Sequence, residues 1–320
     1  MRILITGGAG FIGSYLAEAC LSRGDEVYVI DDLSTGSLTN IQPFAKNPLF
    51  HFINDTILNR DVMLELIGIC DVVAHLAAAV GVKLIIDEPL KSIHTNIVGT
   101  EIVLELANKF RKKTFLASTS EIYGRNSHVP LKETDTRIYG PTHLARWSYA
   151  ATKAMDEFLA LAYYRTKQLP IIIARFFNTV GPRQTGRYGM VIPRFVDQAL
   201  RNHPITVYGD GNQTRNFTYV EDVVRGVVAL IDEPRAIGEI FNIGGNDEIS
   251  MNDLAARIKS ITGSASPIQH IPYDEAYQEG FEDMERRVPD ITRITELIGY
   301  KNTHNLDRIL AKVVEYERTK

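Results

Sequence analysis

The chain has 320 residues, 45% hydrophobic and 23% charged, ordinary proportions for one large or two modest globular domains. Its net charge of -4, with Lys and Arg scattered along the chain, lacks the basic footprint of a nucleic-acid binder. The start, MRILITGG, carries no secretory signal pattern, and the most apolar window, residues 67–86, contains Asp71, His75 and Lys83, so a soluble, cytoplasmic protein without a membrane span is expected.

In chain order, RILIT reads as a strand and a helix is predicted from about Phe11. EVYVI, LFHFI and DVVAHL follow as strands, then a helix near 91–109, the strand KTFLAS, a helix near 148–166 and the strand IIIAR. This alternation predicts βαβ units and a Rossmann-type α/β fold, a doubly wound parallel sheet. Within 91–109, Ile93, Ile97, Thr100, Leu104 and Ala107 fall on one stripe and are expected to face the core. After Arg175 the pattern loosens into Pro- and Gly-punctuated segments. The expected division is therefore 1–177 and, mainly, a smaller α/β region 178–320, with VEDVVRGVVALI and EIFNIG, inside 218–243, returning a helix and a strand to the sheet. Cys20 and Cys70 belong to no CxxC or Cys/His cluster, so neither a disulfide framework nor a metal site is predicted. Both are expected to pack as hydrophobes.

TGGAGFIG places Gly7, Gly10 and Gly13 between the first strand and the first helix. Glycines there let the backbone approach a pyrophosphate, whose charge is met by the helix N-terminus. The spacing is GxxGxxG, and tight turns use glycine for other reasons, so the triplet is weak alone. Asp31, ending the next strand, strengthens it, because a carboxylate there accepts from ribose hydroxyls. Asp32 adjoins it and no arginine follows until Arg60, so a 2′-phosphate would meet two carboxylates; NAD is expected over NADP. Asp55, after the third strand, is a candidate for the adenine or a simple turn residue.

YAATK puts Tyr149 and Lys153 on one helix face. Tyr163/Lys167 and Tyr316/Lys320 repeat the spacing, so position must decide. The helix after KTFLAS starts near the carboxyl ends of the strands, where ligands bind, and Tyr149 sits at that end. A phenol must lose about 3 pKa units to act as a base at neutral pH, roughly 4 kcal/mol. One ammonium at about 4 Å in an effective dielectric near 20 contributes about that much. Lys153 is thus expected to poise Tyr149 as a proton acceptor, and a base beside an NAD site implies oxidation of an alcohol.

TGGAGFIGS, Asp31, HLAA at 75–78, Asn96, STSEIYG, YAATK, RFFNTVGPR, VYGDGNQTRNFTYVEDV and RRVPD occur in order over almost the whole chain. Together they resemble the extended short-chain dehydrogenase/reductase family of nucleotide-sugar enzymes. The resemblance implies one NAD reduced and reoxidised within each turnover, held by Gly7, Gly10, Phe11, Ile12, Gly13, Asp31, Asp32, Asp55, Ala77, Ala78, Asn96, Tyr149, Lys153 and Phe176. It further implies a UDP-sugar in the C-terminal region, with Thr119 on the sugar 4-hydroxyl, Asn178 at the phosphates, Arg215 and Arg287 as substrate-binding arginines, and a homodimer built through the two long helices.

The family shares oxidation at sugar C4 and then diverges. Dehydratases resemble Thr-Asp-Glu after the first serine, whereas this chain has Ser120. Thr119-Ser120-Glu121, ARWSYAATK and RRVPDI look like the UDP-glucuronate decarboxylases, in which the matching Ser, Glu and Arg line the substrate carboxylate. GPRQTGRYGMVIPRF resembles sequences of 4-epimerases, which leaves the step after ketone formation open between decarboxylation of UDP-glucuronate to UDP-xylose and 4-epimerisation of UDP-glucose or UDP-glucuronate. Glu121 is expected to act on the carboxylate by repulsion, as a protonated acid or by orienting a water. Ser118 to Glu121 also matches a capping box, a purely structural role. Val80 to Lys83 is a candidate for contact with the hexose, or a surface loop. A non-catalytic NAD-binding scaffold is the alternative from another class, and the intact Thr119, Tyr149 and Lys153 argue against it.

Overall fold

The computed structural model describes residues 1–81, 85, 87–186, 190–276, 284 and 286–320; Lys83 lies outside them. Strands β1 (Arg2–Thr6), β2 (Glu26–Ile30), β3 (Phe50–Ile53), β4 (Val72–His75), β5 (Lys113–Thr119) and β6 (Ile171–Phe176) are short runs rich in β-branched and aromatic residues. Helices α1 (Phe11–Ser22), α2 (Leu38–Ile41), α3 (Arg60–Ile69), α4 (Pro89–Phe110) and α5 (Arg146–Lys167) lie between them. There follow β7 (Thr179–Val180), α6 (Val191–Leu200), β8 (Ile205–Tyr208), β9 (Thr214–Asn216), β10 (Thr218–Tyr219), α7 (Val220–Asp232) and β11 (Ile240–Ile243). The chain ends with β12 (Glu248–Ser250), α8 (Met251–Thr262), β13 (Ile268–Ile271), α9 (Tyr273–Ala276), α10 (Thr292–Ile298) and α11 (Leu306–Glu317).

Seven strands form one sheet in the order β11-β6-β5-β4-β1-β2-β3, every pair parallel. Winding reverses between β1 and β4, so the carboxyl ends of these strands open the crevice in which such sheets bind ligands. The pleat sends Ile3 and Ile5 to one face, in a core cluster with α1 and α7, and Leu4 to the other, against α3 and α4. Fully covered faces explain why the strands read as continuous apolar runs. Beyond the sheet, α6, α8 and α11 pack on one another, and α6 and α8 also pack on β8 of the small ribbon β8–β13.

The predicted strands and helices of the first half are present within one or two residues, and α7 and β11 do rejoin the sheet beside β6. The stripe predicted on α4 is partly displaced. Thr100, Leu104 and Ala107 are buried, but Ile93 is exposed and Ile97 half-buried, while Ser92 and Asn96 are buried in their place. The first turns of α4 turn polar groups inward because the adjoining loop needs hydrogen bonds there. Helix α3 was not anticipated; the signal for it was Asn59, which caps its N-terminus, followed by Asp61 in the first turn. Cys20 and Cys70 are buried free thiols, each pushed up to about 12 by burial.

Candidate active site

At the β1–α1 turn Gly7 has φ +71°, a conformation side chains disfavour. A Cβ on Gly13 would overlap the Gly7 carbonyl oxygen and lie 2.7 Å from Gly8 Cα, so α1 can start this close to β1 only with glycine. Thr6, the last residue of β1, ties this turn to the end of β4. Its Oγ1 accepts from the backbone N–H groups of Leu76 and Ala77 and bonds His75 Nδ1 at 2.8 Å. Burial lowers the His75 pKa to about 3, so the imidazole is neutral, and its Nε2 meets Thr100 Oγ1 at 3.1 Å.

Asp31 Oδ2 accepts from Ala9 N at 2.9 Å and its Oδ1 from Leu33 N at 2.8 Å. Burial raises its pKa, opposed by these backbone bonds. The carboxylate is thereby fixed at the end of β2, facing the crevice beside the glycine turn. A glycine cradle at a helix N-terminus and an oriented carboxylate at the next strand end fit a dinucleotide with free ribose hydroxyls, which is the form of NAD.

A cavity of about 1190 Å³ runs from this turn past Tyr149 to Arg215 and Tyr273. Of the residues nominated from sequence, all but Asn96 line it. Asn96 stands behind the wall, where its Oδ1 accepts from Ala79 N at 2.8 Å and its Nδ2 donates to Ala79 O at 3.3 Å, bracing the loop after β4. Asp55 lines the cavity but is also engaged locally, by Thr56 N and by Asn59 Nδ2. Asn178 donates to Asn216 O, and Arg215 Nη1 to Thr214 O. Of the repeated Tyr/Lys pairs, Tyr163/Lys167 does not line the cavity. Tyr316/Lys320 borders it, with Lys320 bound to Glu317.

Residues 118–121 end β5 and begin a short 3-10 turn, Ser120–Tyr123. The N-cap is Thr119, whose Oγ1 accepts from Glu121 N, while Ser118 Oγ donates to Glu157 Oε1 at 2.6 Å. The capping-box reading therefore misassigns the cap, and the Glu121 side chain turns elsewhere. Behind this segment, buried Arg175 bonds Glu157 through Nε and Nη2 and Tyr123 through Nη1, fixing the strand end from below.

Glu121 lies between two guanidinium groups: Arg146 Nη1 is 2.5 Å from Oε2 and Arg287 Nη1 2.8 Å from Oε1. Arg287 Nη1 also reaches Ser120 Oγ at 3.4 Å. Burial by itself would raise the Glu121 pKa; the two arginines outweigh it and hold the carboxyl well below the usual range. Glu121 is thus ionised, and a protonated Glu121 is not what this environment produces. Arg146, the first residue of α5, was missed: it stands in the quoted ARWSYAATK, but nothing in spacing distinguishes it from a solvated arginine.

Tyr149 is buried, in the first turns of α5. Burial raises its pKa first, then the carboxylates of Glu121 and Asp156; a hydrogen bond with Thr119 and the Arg146 charge act in the opposite direction. Lys153 Nζ donates to Asp156 Oδ2 at 2.9 Å, both side chains being nearly inaccessible. The lysine charge is matched by Asp156, and burial with the neighbouring carboxylates favours the protonated phenol. Sequence spacing did not anticipate this partner.

The family described as GDP-mannose 4,6 dehydratase matches residues 4–313. The chain is 42% identical to the UDP-N-acetyl-alpha-D-glucosaminuronate decarboxylase of Bacillus cytotoxicus, over 99% of this chain and 98% of that protein. It is 37% identical to UDP-glucuronic acid decarboxylase 1 of Arabidopsis thaliana, over 98% of this chain and 69% of that protein. Among solved structures it resembles the UDP-glucuronic acid 4-epimerase from Bacillus cereus in complex with UDP-glucuronic acid and NAD, with a TM-score of 0.90, 33% identity and coverage of 100% and 99% of the two chains. The chain belongs to the GDP-mannose 4,6 dehydratase family, an NAD-dependent branch of the extended short-chain dehydrogenases/reductases.

Proposed function

We propose that this enzyme is a UDP-glucuronate decarboxylase forming UDP-xylose. The observation that carries the reading is the ionised Glu121 held between Arg146 and Arg287 beside Tyr149 and Thr119. NAD, when bound, takes up and returns the hydrogen at sugar C4. Tyr149 accepts the proton of the 4-hydroxyl, Thr119 orients that hydroxyl, and Lys153, steadied by Asp156, offsets the charge left on the phenolate. Once C4 is a ketone, the C6 carboxylate is β to a carbonyl. The C5–C6 bond then breaks, its electron pair enters the enolate, and CO2 leaves. Arg287 positions the carboxylate before departure, Glu121 opposes it electrostatically, and Ser120 is assigned the delivery of a proton to C5. Tyr149 finally returns its proton to O4.

The names of the relatives support decarboxylation of a UDP-uronate, and one of them acts on a sugar with a 2-acetamido group, so UDP-N-acetylglucosaminuronate belongs in the assay beside UDP-glucuronate. The test is release of labelled CO2 from each, with Glu121→Gln alongside. Wild type should release CO2; Glu121→Gln should lose about 100-fold in release while retaining initial NADH formation. A 4-epimerase, the reading favoured by the structural likeness to the Bacillus cereus enzyme, would return the C4 epimer with its carboxylate intact.

The cofactor is assigned to 1–177 with 218–243 and the sugar nucleotide mainly to 178–320, where Asn178 and Arg215 line the far part of the cavity. A homodimer through α4 and α5 is supported by exposed Leu90 and Ile93 on the first and Met155 and Phe158 on the second. Phe158→Glu should give a monomer in sedimentation. Among the described residues, no helix is long and apolar enough to cross a membrane. A cytoplasmic location is proposed with it.

A further inference from the structure

The buried polar groups behind Lys153 have their protons ordered in one direction. Thr6 Oγ1 accepts from Leu76 N at 3.2 Å and from Ala77 N at 3.1 Å, which fills both lone pairs of the hydroxyl. Its contact with His75 Nδ1, at 2.8 Å, is therefore made with the hydroxyl proton, and Nδ1 is the acceptor. Burial keeps the imidazole neutral, so its single ring proton stands on Nε2 and is donated to Thr100 Oγ1 at 3.1 Å. Thr100 in turn donates to Asp156, which also receives Lys153 Nζ at 2.9 Å. Thr6, His75, Thr100 and Asp156 are each at most 1% exposed, so the chain is sealed from bulk water. Asp156 ends it as the acceptor. The adjoining Glu157 is taken by Ser118, Arg137 and Arg175 and fixes the strand end instead.

We propose that Thr6, His75 and Thr100 are positioning residues whose ordered hydrogen bonds keep Asp156 an acceptor on Lys153, and that Asp156 thereby sets the pH range in which Tyr149 takes up a proton. The inference rests on the reading of Tyr149 as the base. Tyr149, Lys153 and Asp156 follow one another at four and three residues on one face of α5, so the lysine stands between the phenol and the carboxylate. A carboxylate bound to the ammonium weakens its pull on a phenolate. Without it Lys153 turns to the phenolate, and the phenol ionises at lower pH. Burial raises the Tyr149 pKa first, Glu121 and Asp156 add to the rise, and Arg146 opposes it. Glu121, on the 3-10 turn, is held by Arg146 and Arg287, and Glu157 by Arg175 of β6. From α4 come Thr100 and Asn96, the latter reaching Thr152 Oγ1 at 3.5 Å, and from β4 the neutral His75. Removing the Asp156 charge therefore acts downward on the phenol.

The first measurement is the 15N NMR spectrum of the NAD-loaded enzyme labelled at histidine, with His75→Gln identifying the signal. His75 should be the Nε2–H tautomer and stay neutral from about pH 5 to about pH 9. The second is the pH dependence of the initial rate of NADH formation with UDP-glucuronate. Asp156→Asn should move its rising limb about one unit to lower pH. Thr100→Val should move it the same way by less, and Thr100→Ser, which keeps the hydroxyl, should return it to the wild-type position. A merely structural role would lower stability and leave the limb in place. An Nδ1–H tautomer, a His75 that titrates in this range, or an Asp156→Asn limb within about 0.2 unit of wild type overturns the proposal. If Asp156→Asn does not fold, an unmoved limb in Thr100→Val overturns it. Tyr149→Phe reports separately on the base. An undiminished rate there sinks the base reading and the pH role with it, while the Nε2–H signal still supports the ordered chain.

Discussion

The ammonium of Lys153 donates to Asp156, 2.9 Å away and one turn further along α5, in a pair almost wholly shielded from water. Burial raises the Asp156 pKa, opposed by the Lys153 charge and by hydrogen bonds from Lys153 and Thr100. Because Thr100 also meets His75 Nε2, and His75 Nδ1 meets Thr6, a line of buried polar groups joins the glycine turn to Lys153. Removing one member of a buried pair leaves the other uncompensated. Asp156→Asn should therefore destabilise the protein by about 3–5 kcal/mol in urea unfolding. A loss below about 1 kcal/mol, the usual worth of an exposed pair, would show that water reaches the site.

Tyr149 tests the base. Tyr149→Phe should slow NADH formation by about 10²–10⁴, the usual contribution of a positioned general base, with UDP-sugar affinity little altered. Since burial and the neighbouring carboxylates raise the phenol pKa, the reactive phenolate is scarce at neutral pH. The initial rate of NADH formation should consequently climb with pH in stopped-flow absorbance. A rate that falls as pH rises would remove Tyr149 from this role.

Glu121 also leaves a signature in stability. Its folded pKa is depressed, so its contribution is fully present above the unfolded value, about 4.3, and is lost as pH falls from there toward the folded pKa. Thermal unfolding followed from pH 5 to pH 3 should show a steeper loss in wild type than in Glu121→Gln. Parallel curves would mean that the carboxyl is not ionised between its arginines.

Gly13→Ala tests the cradle. The added methyl meets backbone at Gly7 and Gly8, which no side-chain rotation relieves. About 1–3 kcal/mol of stability should be lost to overpacking, and bound NAD, read from the absorbance of the denatured supernatant, should fall below half of the wild-type content. Normal NAD content in a well-folded Gly13→Ala would argue that the dinucleotide lies elsewhere.

Local periodicity carried most of the first half of the fold. The runs RILIT, EVYVI and IIIAR are strands because β-branched residues buried on both faces favour that reading, and the glycines at 7, 10 and 13 with Asp31 marked the tight turn between β1 and α1. That Tyr149 and Lys153 would share a helix face at the cavity end was legible because such a face repeats every three or four residues and the preceding strand fixed which end of the helix lies at the carboxyl edge of the sheet. Small ribbons such as β8–β13 were not legible, since they pair residues more than 60 positions apart with little pattern of their own. Tertiary structure alone decided the electrostatics. Glu121 acquires Arg146 from the start of another helix and Arg287 from a segment 166 residues away, and only that meeting makes it an ionised, clamped carboxylate instead of a cap. Charge depends on neighbours within a few ångström, and sequence distance says little about who those neighbours are.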